Sequence, residues 1–191
     1  LGLIGKFLFN EEFPPPNPVT LRLRITDGRL AADLRGPQWC RLITPGERAA
    51  VIADSGPDPI RTDADPERAW AVVSRSRKSI AALLMEQKAF AGVGNIFRAE
   101  VLYRHRIDPM LPGNQLPRPV FEAVWADLVA LMRAAVEVGR IDTVADDHLP
   151  EATGRDPRVD RHGGEVYVYR RADLPCHVCG TPVSTVDLAG R

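Results

Sequence analysis

Cysteine is scarce in this chain, long hydrophobic runs are absent and neither sign of charge prevails. The 191 residues include 3 cysteines, too few to suggest the disulfide framework of a small secreted domain. No run of about 18 apolar residues occurs, so the sequence predicts no transmembrane helix. The 25 basic and 25 acidic residues cancel. This balance argues against a general binder of polyanions but allows a site that concentrates positive charge locally.

Positive charge is concentrated between residues 75 and 106. This segment holds seven basic residues against Glu86 and Glu100. A basic excess on one segment of a neutral chain is typical of a surface that meets a polyanion. The seven residues are Arg75, Arg77, Lys78, Lys88, Arg98, Arg104 and Arg106.

Residues 83–100 within this segment predict a helix, a tight glycine turn and a second helix. Gly92 and Gly94 let the backbone approach a ligand closely, and the first amides of the following helix point outward. Such a turn can hold an anion, most commonly a phosphate. On spacing alone, a helical hairpin with a glycine stop and a solvated face remains the alternative.

Residues 1 to about 60 predict strands. Residues 19–26 alternate apolar and polar side chains, the period of a strand with one buried face. Asp27-Gly28 suits a tight hairpin turn, after which the alternation resumes. We expect Arg22 and Arg24 to lie on the solvated outer face.

The chain from Asp65 to about residue 150 predicts helices. Asp65-Pro66 is a good helix start, because a capping carboxylate precedes a proline. The long helix over 119–138 ends before Gly139. Its apolar stripe indicates core, and it comprises Val120, Val124, Leu128, Leu131 and Ala135.

The C-terminal part predicts a short strand over 165–170 and then a Cys176–Cys179 knuckle. Two cysteines at this spacing before a glycine can grip zinc from one side. A structural zinc needs four ligands, so the pair alone could also be a redox motif, a half-site or two ordinary thiols. We expect His177 to be exposed and not to be a ligand.

The residues from Leu84 to Pro109 resemble the helix-two-turn-helix DNA-binding element of the formamidopyrimidine-DNA glycosylase and endonuclease VIII family. The shared motifs are Leu83-Leu84, Gln87-Lys88, Gly92-Val93-Gly94-Asn95, Phe97, Glu100-Val101-Leu102 and Ile107-Asp108-Pro109. A match of this length is highly specific. The resemblance to the family as a whole covers nearly all of this chain but only about the last three quarters of the family's length.

The resemblance implies a multidomain α+β protein in three parts. Residues 1–60 would be the remainder of an N-terminal β-sandwich with uncovered strands. Residues 61–155 would form the helix-two-turn-helix domain. Residues 156–191 would hold a capping-type loop and an incomplete β-hairpin zinc finger. There the resemblance implies a structural zinc held by Cys176, Cys179 and two further cysteines beyond Arg191.

The resemblance also implies DNA contacts at individual residues. Lys88, Gly94, Asn95 and Arg191 align with residues that grip the phosphate backbone, which fix register without reading sequence. An extruded base leaves a hole, and the candidate wedges that fill it are Leu3 and Arg35. Leu3 could instead be core, and Arg35 a surface loop arginine. Pro37 replaces a phenylalanine of the formamidopyrimidine enzymes, which favours the endonuclease VIII branch and its oxidised pyrimidines.

The chemistry implied by the family uses the secondary amine of an N-terminal proline. It attacks the sugar C1′, releases the base and forms a Schiff base, after which elimination cleaves the strand. A glutamate and a lysine assist in the family. No residue of this chain occupies those positions, and we assign no catalytic role to any of them.

Three interpretations follow for the protein. It is a bifunctional glycosylase and abasic-site lyase acting on damaged double-stranded DNA, a DNA-binding module that does not cut, or a zinc-stabilised structural domain. The resemblance favours the first, working as a monomer away from membranes, in the bacterial cytoplasm with the nucleoid. The loop over 153–164 carries Arg155, Arg158 and Arg161. These arginines could contact the lesion or a phosphate if the loop closes over the flipped base, but we expect a solvated loop in which Asp156 and Asp160 balance them.

Overall fold

A computed structural model describes residues 5–11, 19–37, 40–160, 164–185 and 187. The chain divides into two compact units, Leu1–Ala50 and Val51–Arg191. It combines a small sheet with helices, so the predicted α+β class is confirmed. The predicted division at residues 60 and 155 stays a prediction. Within the described residues, every helix is too short or too polar to cross a membrane.

The sheet of the first unit has three antiparallel strands in the order β1-β3-β2. The strands are β1 (Lys6–Asn10), β2 (Leu21–Thr26) and β3 (Ala31–Arg35). The predicted hairpin turn is confirmed, because the Asp27 carboxylate accepts the backbone N–H of Arg29 and of Leu30, each at 2.8 Å. An aspartate at this position closes the turn with its own side chain.

The first unit contains a buried carboxylate that pairs with two arginines. Asp33 is fully buried, and the Arg24 guanidinium donates to it at 2.6 Å. The prediction that Arg24 lies on a solvated face is therefore wrong, although Arg22 is exposed. Arg24 faces inward because a buried carboxylate needs a paired donor. Hydrogen bonds from Arg24, and then from Arg35, hold the pKa of Asp33 at about 2.

A helix, α1, spans Pro45–Asp54, where the sequence predicted strands. Thr44 explains the difference, because its hydroxyl accepts the Glu47 N–H at 3.2 Å while the Glu47 carboxylate accepts the Thr44 N–H at 2.8 Å. This reciprocal arrangement is a capping box. The Thr44-Pro45-Gly46-Glu47 sequence carries its signature and could have revealed the helix.

The second unit is helical, with a core of apolar side chains from its helices and the turns between them. Short 3-10 turns precede α5 and α6. Asp65 caps α2 as predicted, accepting the Glu67 N–H at 2.9 Å. The helices are α2 (Pro66–Val73), α3 (Ile80–Met85), α4 (Asn95–Arg104), α5 (Arg118–Val138) and α6 (Pro150–Thr153).

The long helix α5 confirms the predicted core stripe with a small rotation. Val124 and Leu128 are buried as predicted. The other fully buried positions are Phe121 and Met132, which the predicted stripe omitted. Val120, Leu131 and Ala135 pack against the core from its edge. The buried face is thus wider than a single row of side chains, as expected for a helix that packs on a core.

Candidate nucleic-acid interface

The turn over residues 86–94, between α3 and α4, is closed by one side chain. The Gln87 amide oxygen accepts the Gly92 N–H at 2.9 Å, and the Gln87 amide nitrogen donates to the Val93 carbonyl at 2.9 Å. Gly92 has φ +81°, which a residue with a Cβ rarely adopts. A glutamine suits this position because it carries a donor and an acceptor on one planar group.

The Gly56-Pro57 segment supports the 86–94 turn from outside. The Gly56 N–H donates to the Gln87 carbonyl at 2.9 Å, and the Ala91 N–H donates to the Pro57 carbonyl at 3.1 Å. A Cβ at Gly56 would lie 2.6 Å from the carbonyl carbon of Ala89, so only glycine fits. The sequence indicated a boundary here, but the segment is also a structural brace for the turn.

The N-terminus of α4 is available to an anion. Gly94 is the N-cap residue, and no described side chain caps the helix there. Its first amides therefore lack partners within the helix and carry the positive end of its dipole. Buried Phe97 and Val101 fix the rest of the helix in the core. This geometry agrees with the predicted phosphate-binding role of Gly94 and Asn95, which remains a prediction.

Lys88 belongs to the same turn but has an acidic partner. Its ammonium lies 2.8 Å from the Asp54 carboxylate, and both side chains are about two-thirds exposed, at 67% and 65%. Lys78 is paired with Glu86 in the same way, at 2.9 Å. The local positive charge counted from the sequence is therefore partly neutralised. Arg104 is also paired, with Asp127 at 2.7 Å.

Glu100, on α4, is a residue whose role the sequence did not reveal. Its fully buried carboxylate accepts the Thr143 hydroxyl at 2.6 Å. It also accepts three consecutive backbone N–H groups at 2.7–2.8 Å, from Tyr167, Val168 and Tyr169. A buried charge needs such a set of donors. One sequence feature could have indicated that Glu100 is buried, namely its position between Phe97 and Val101 on the apolar face of α4.

This carboxylate explains why the strand predicted over 165–170 is wrong. The backbone of 167–170 bends and turns, because three of its N–H groups converge on Glu100 and not on a neighbouring strand. Successive amides that point to one anion form a nest. The nest fixes the segment that leads into the C-terminal cysteines against α4.

The cysteines lie in a tight hairpin. The Cys176 N–H donates to the Thr181 carbonyl at 2.9 Å, and the Gly180 N–H returns to the Cys176 carbonyl at 3.0 Å. Burial raises the pKa of the Cys176 thiol, but hydrogen bonds from Tyr103 and from the backbone outweigh it and lower this pKa to about 7. A cysteine that binds zinc does so as the thiolate.

The rest of a metal centre is not among the described residues, which contain no group of three or more His, Cys, Asp or Glu side chains able to hold a metal. Cys176 and Cys179 fit half of a tetrahedral thiolate site. His177 is partly buried, contrary to prediction, because it packs 6.4 Å from the Tyr167 ring. Burial lowers its pKa to about 4.

The other residues predicted to contact DNA lie in different parts of the chain. Arg35 ends β3 in the first unit, with its guanidinium 3.0 Å from Asp33. Leu3, Arg161 and Arg191 lie outside the described residues. Lys88 lies in the 86–94 turn, and Gly94 and Asn95 lie where that turn leads into α4.

The loop arginines are more constrained than predicted. Arg155 donates to the Glu165 carboxylate at 2.5 Å, and Arg158 pairs with Asp160 at 2.8 Å. Their side chains are only 21% and 10% exposed. The predicted balance between Arg158 and Asp160 is confirmed, while the predicted solvation is wrong. Burial of Glu165 explains this, because a buried carboxylate draws cationic partners inward.

Comparison with known proteins identifies the family whose members share this sequence and fold. Residues 55–146 match the family described as the formamidopyrimidine-DNA glycosylase H2TH domain. Endonuclease 8 1 of Mycobacterium tuberculosis (strain ATCC 25618 / H37Rv) is 43% identical over 198 residues, which cover 100% of this chain and 71% of the relative. Formamidopyrimidine-DNA glycosylase of Synechococcus sp. (strain ATCC 27144 / PCC 6301 / SAUG 1402/1) is 30% identical, covering 100% and 68%.

Solved structures show the same fold. The complex between Lactococcus lactis Fpg and a DNA containing an abasic site superimposes with a TM-score of 0.75 at 22% identity, covering 99% of this chain and 68% of that one. The chain therefore belongs to the formamidopyrimidine-DNA glycosylase and endonuclease VIII family, in its endonuclease VIII-like branch. At the level of the family, its function is base-excision DNA repair.

Proposed function

We propose that this chain is the DNA-gripping part of a bifunctional DNA glycosylase and abasic-site lyase that removes oxidised bases, preferably pyrimidines. The uncapped start of α4, together with the exposed Lys88 of the turn that precedes it, is the observation that carries the proposal. The 43% identity to Endonuclease 8 1 supports the choice of branch. Its partner is damaged double-stranded DNA, which it meets as a monomer.

The proposed binding of the DNA backbone depends on the charges at the 86–94 turn and at the start of α4. A backbone phosphate at Gly94 would accept the free amides of α4, with the Asn95 side chain as a further donor. The Lys88 ammonium would leave Asp54 and pair with the same or the next phosphate. Each such contact releases a counterion from the DNA, so affinity would fall steeply as salt rises.

Two side chains are proposed to occupy the space of the extruded base. Leu3 would enter the stack as an apolar wedge, which needs no hydrogen bond there. Arg35 would pair with the orphaned base or stack on it, because a guanidinium does both. In the first unit, Arg35 already holds Asp33 with one nitrogen, and its Nε has no hydrogen-bond partner among the described residues.

The C-terminal knuckle is proposed to hold a structural zinc. Cys176 and Cys179 would supply two thiolates, and two further cysteines outside this sequence would complete the tetrahedron. Zinc would stabilise the 156–191 region, where the resemblance implies a further phosphate anchor at Arg191. Metal analysis should find one zinc in the wild type and none in Cys176→Ser. Cys40→Ser is the control and should retain the zinc, because Cys40 is an exposed thiol in the other unit.

The chemistry would be that of the family, with no catalytic step assigned to a residue of this chain. An amine nucleophile would attack the sugar C1′ and displace the base, leaving a Schiff base whose elimination cuts the strand. The second candidate is a DNA-binding module without this chemistry. It is favoured by the same geometry, since the uncapped start of α4 and the exposed Lys88 can bind DNA without any catalytic residue.

Borohydride trapping separates the two candidates. The whole protein is incubated with a duplex that carries an abasic site or an oxidised pyrimidine, and borohydride is added while binding is measured in parallel. The glycosylase proposal expects a covalent protein–DNA adduct. Binding without an adduct would establish the module. Neither adduct nor binding would overturn the DNA-gripping role itself.

A further inference from the structure

Tyr103 and Cys176 meet although they are 73 residues apart in the chain. The Tyr103 hydroxyl oxygen lies 3.0 Å from the Cys176 sulphur. Tyr103 belongs to the last turns of α4, while Cys176 belongs to the C-terminal hairpin. A hydroxyl of the DNA-gripping helix therefore touches one of the two knuckle thiols.

The chemistry of a metal-bound cysteine fixes the direction of this hydrogen bond. A thiolate ligand has no proton and can only accept. The tyrosine hydroxyl must then donate to the sulphur, since it carries the only proton between the two atoms. The Val178 backbone N–H, 3.4 Å away, is a second donor to the same sulphur. As a thiolate, Cys176 would therefore accept two hydrogen bonds at its sulphur.

The position of the hydroxyl is imposed by α4 and its neighbours. The Tyr103 ring packs on the Tyr167 ring, with centroids 4.9 Å apart. Tyr167 is itself fixed, because its N–H donates to the buried Glu100 carboxylate at 2.7 Å. The Tyr103 donor is therefore preorganised and loses little freedom when it binds the sulphur.

We propose that Tyr103 is a positioning residue of the knuckle, whose hydroxyl donates to the Cys176 thiolate and thereby strengthens metal binding. The inference rests on the proposed role of Cys176 and Cys179 as zinc ligands. Hydrogen-bonding partners of metal ligands typically change metal affinity by about 10- to 100-fold. The contact also ties the metal centre to α4, the helix whose other end is proposed to bind DNA.

The first test measures zinc affinity by competition with a chromophoric chelator, on the whole protein. Tyr103→Phe removes only the hydroxyl and should weaken zinc binding by about ten-fold or more. Tyr167→Phe is the matched control, because it removes a hydroxyl from the stacked partner ring whose contacts are with Ala145 and His148. The control should retain the wild-type zinc affinity. Thermal unfolding of each zinc-loaded variant checks that the fold is retained.

A spectroscopic test separates positioning from mere stabilisation of the fold. Cobalt replaces zinc, and the thiolate-to-cobalt charge-transfer band is recorded. Loss of a donor to sulphur raises the energy of its lone pairs, so Tyr103→Phe should move the band to longer wavelength. Replacing Tyr103 by 3-fluorotyrosine keeps the hydroxyl and makes it a stronger donor, so the band should move to shorter wavelength. Tyr167→Phe should leave it in place.

The outcomes distinguish the inference from the function on which it rests. A wild-type protein that takes up neither zinc nor cobalt would overturn the proposed metal site, and the inference with it. A wild-type protein that binds both metals, with the same zinc affinity and the same band in Tyr103→Phe, would overturn the inference alone. Opposite band shifts in the two Tyr103 variants, with an unmoved Tyr167→Phe band, would establish it.

Discussion

The Lys88 ammonium lies 2.8 Å from the Asp54 carboxylate, so the cation proposed to bind a DNA phosphate already has an acidic partner within its own chain. Asp54 ends α1, and Lys88 lies in the 86–94 turn. A phosphate must displace the carboxylate to reach the ammonium. Because both side chains are largely exposed, the cost of that exchange is small, and Asp54 is expected to weaken DNA binding without preventing it.

Asp54→Asn should therefore raise affinity for duplex DNA. An exposed ion pair contributes up to about 1 kcal/mol, so the dissociation constant is expected to fall by about two- to five-fold. Fluorescence anisotropy at low salt measures it, and the difference should shrink as salt screens the pair. The double variant Asp54→Asn with Lys88→Gln is the control and should show no gain over Lys88→Gln. An equal gain in both backgrounds would contradict the competition.

Gln87→Ala should destabilise the 86–94 turn and weaken DNA binding without changing any charge. It leaves the Gly92 N–H and the Val93 carbonyl without their partner, and each unmade hydrogen bond costs roughly 1–3 kcal/mol where water cannot replace it. Urea unfolding gives the stability and anisotropy gives the affinity. Gln87→Glu keeps the acceptor for Gly92 and loses only the donor to Val93, so its effect on stability should be intermediate. Wild-type behaviour of Gln87→Ala would show that the turn does not depend on this amide.

Glu100→Gln should lower the free energy of unfolding by about 3 kcal/mol. One of the two acceptor oxygens becomes an amide NH2 group, which is itself a donor and cannot accept the hydrogen bonds now made there. Thr143→Val removes only the hydroxyl contact of 2.6 Å and should cost about 1 kcal/mol. Urea unfolding of both variants gives the comparison. If Glu100→Gln cost no more than Thr143→Val, the backbone amides of 167–169 would not depend on the charge.

The first unit should lose stability in acid because of Asp33. Its pKa is held at about 2, chiefly by the Arg24 hydrogen bond, whereas in the unfolded chain it lies near 3.9. The folded state thus favours the ionised form, and this contribution is complete above about pH 4 and is lost as pH falls towards 2. The difference in unfolding free energy between wild type and Asp33→Asn should be constant above pH 5 and shrink below pH 4. A difference independent of pH would contradict the pairing.

Local patterns in the sequence predicted much of the fold. The alternation of apolar and polar side chains over 19–26 predicted β2, and the Asp27-Gly28 pair predicted the turn that follows it. Asp65-Pro66 predicted the start of α2. These features depend on neighbouring residues alone. The helix at Pro45–Asp54 was missed although Thr44 and Glu47 carried a capping signature, because the preceding strands suggested that the same pattern continued.

The features that were mispredicted depend on distant partners. Residues 165–170 have strand-forming side chains, but the Glu100 carboxylate, 67 to 69 residues earlier, accepts the amides of Tyr167, Val168 and Tyr169. Arg24 faces inward because Asp33 is buried on the adjacent strand. Likewise, no local pattern indicates that Asp54 would pair with Lys88, 34 residues away. Such pairings are decided by tertiary structure, which a single sequence read locally does not contain.

The measurement that tests the central claim most directly is the salt-dependent affinity of the whole protein for a duplex with a stable abasic-site analogue. Lys88→Gln and Asn95→Ala are compared with the wild type and with Lys6→Gln, a lysine of β1 in the other unit. Loss of the Lys88 contact should weaken binding several-fold and reduce the slope of log affinity against log salt by about 1. Asn95→Ala should weaken binding with little change of slope. Unchanged affinity and slope in both variants would contradict the account.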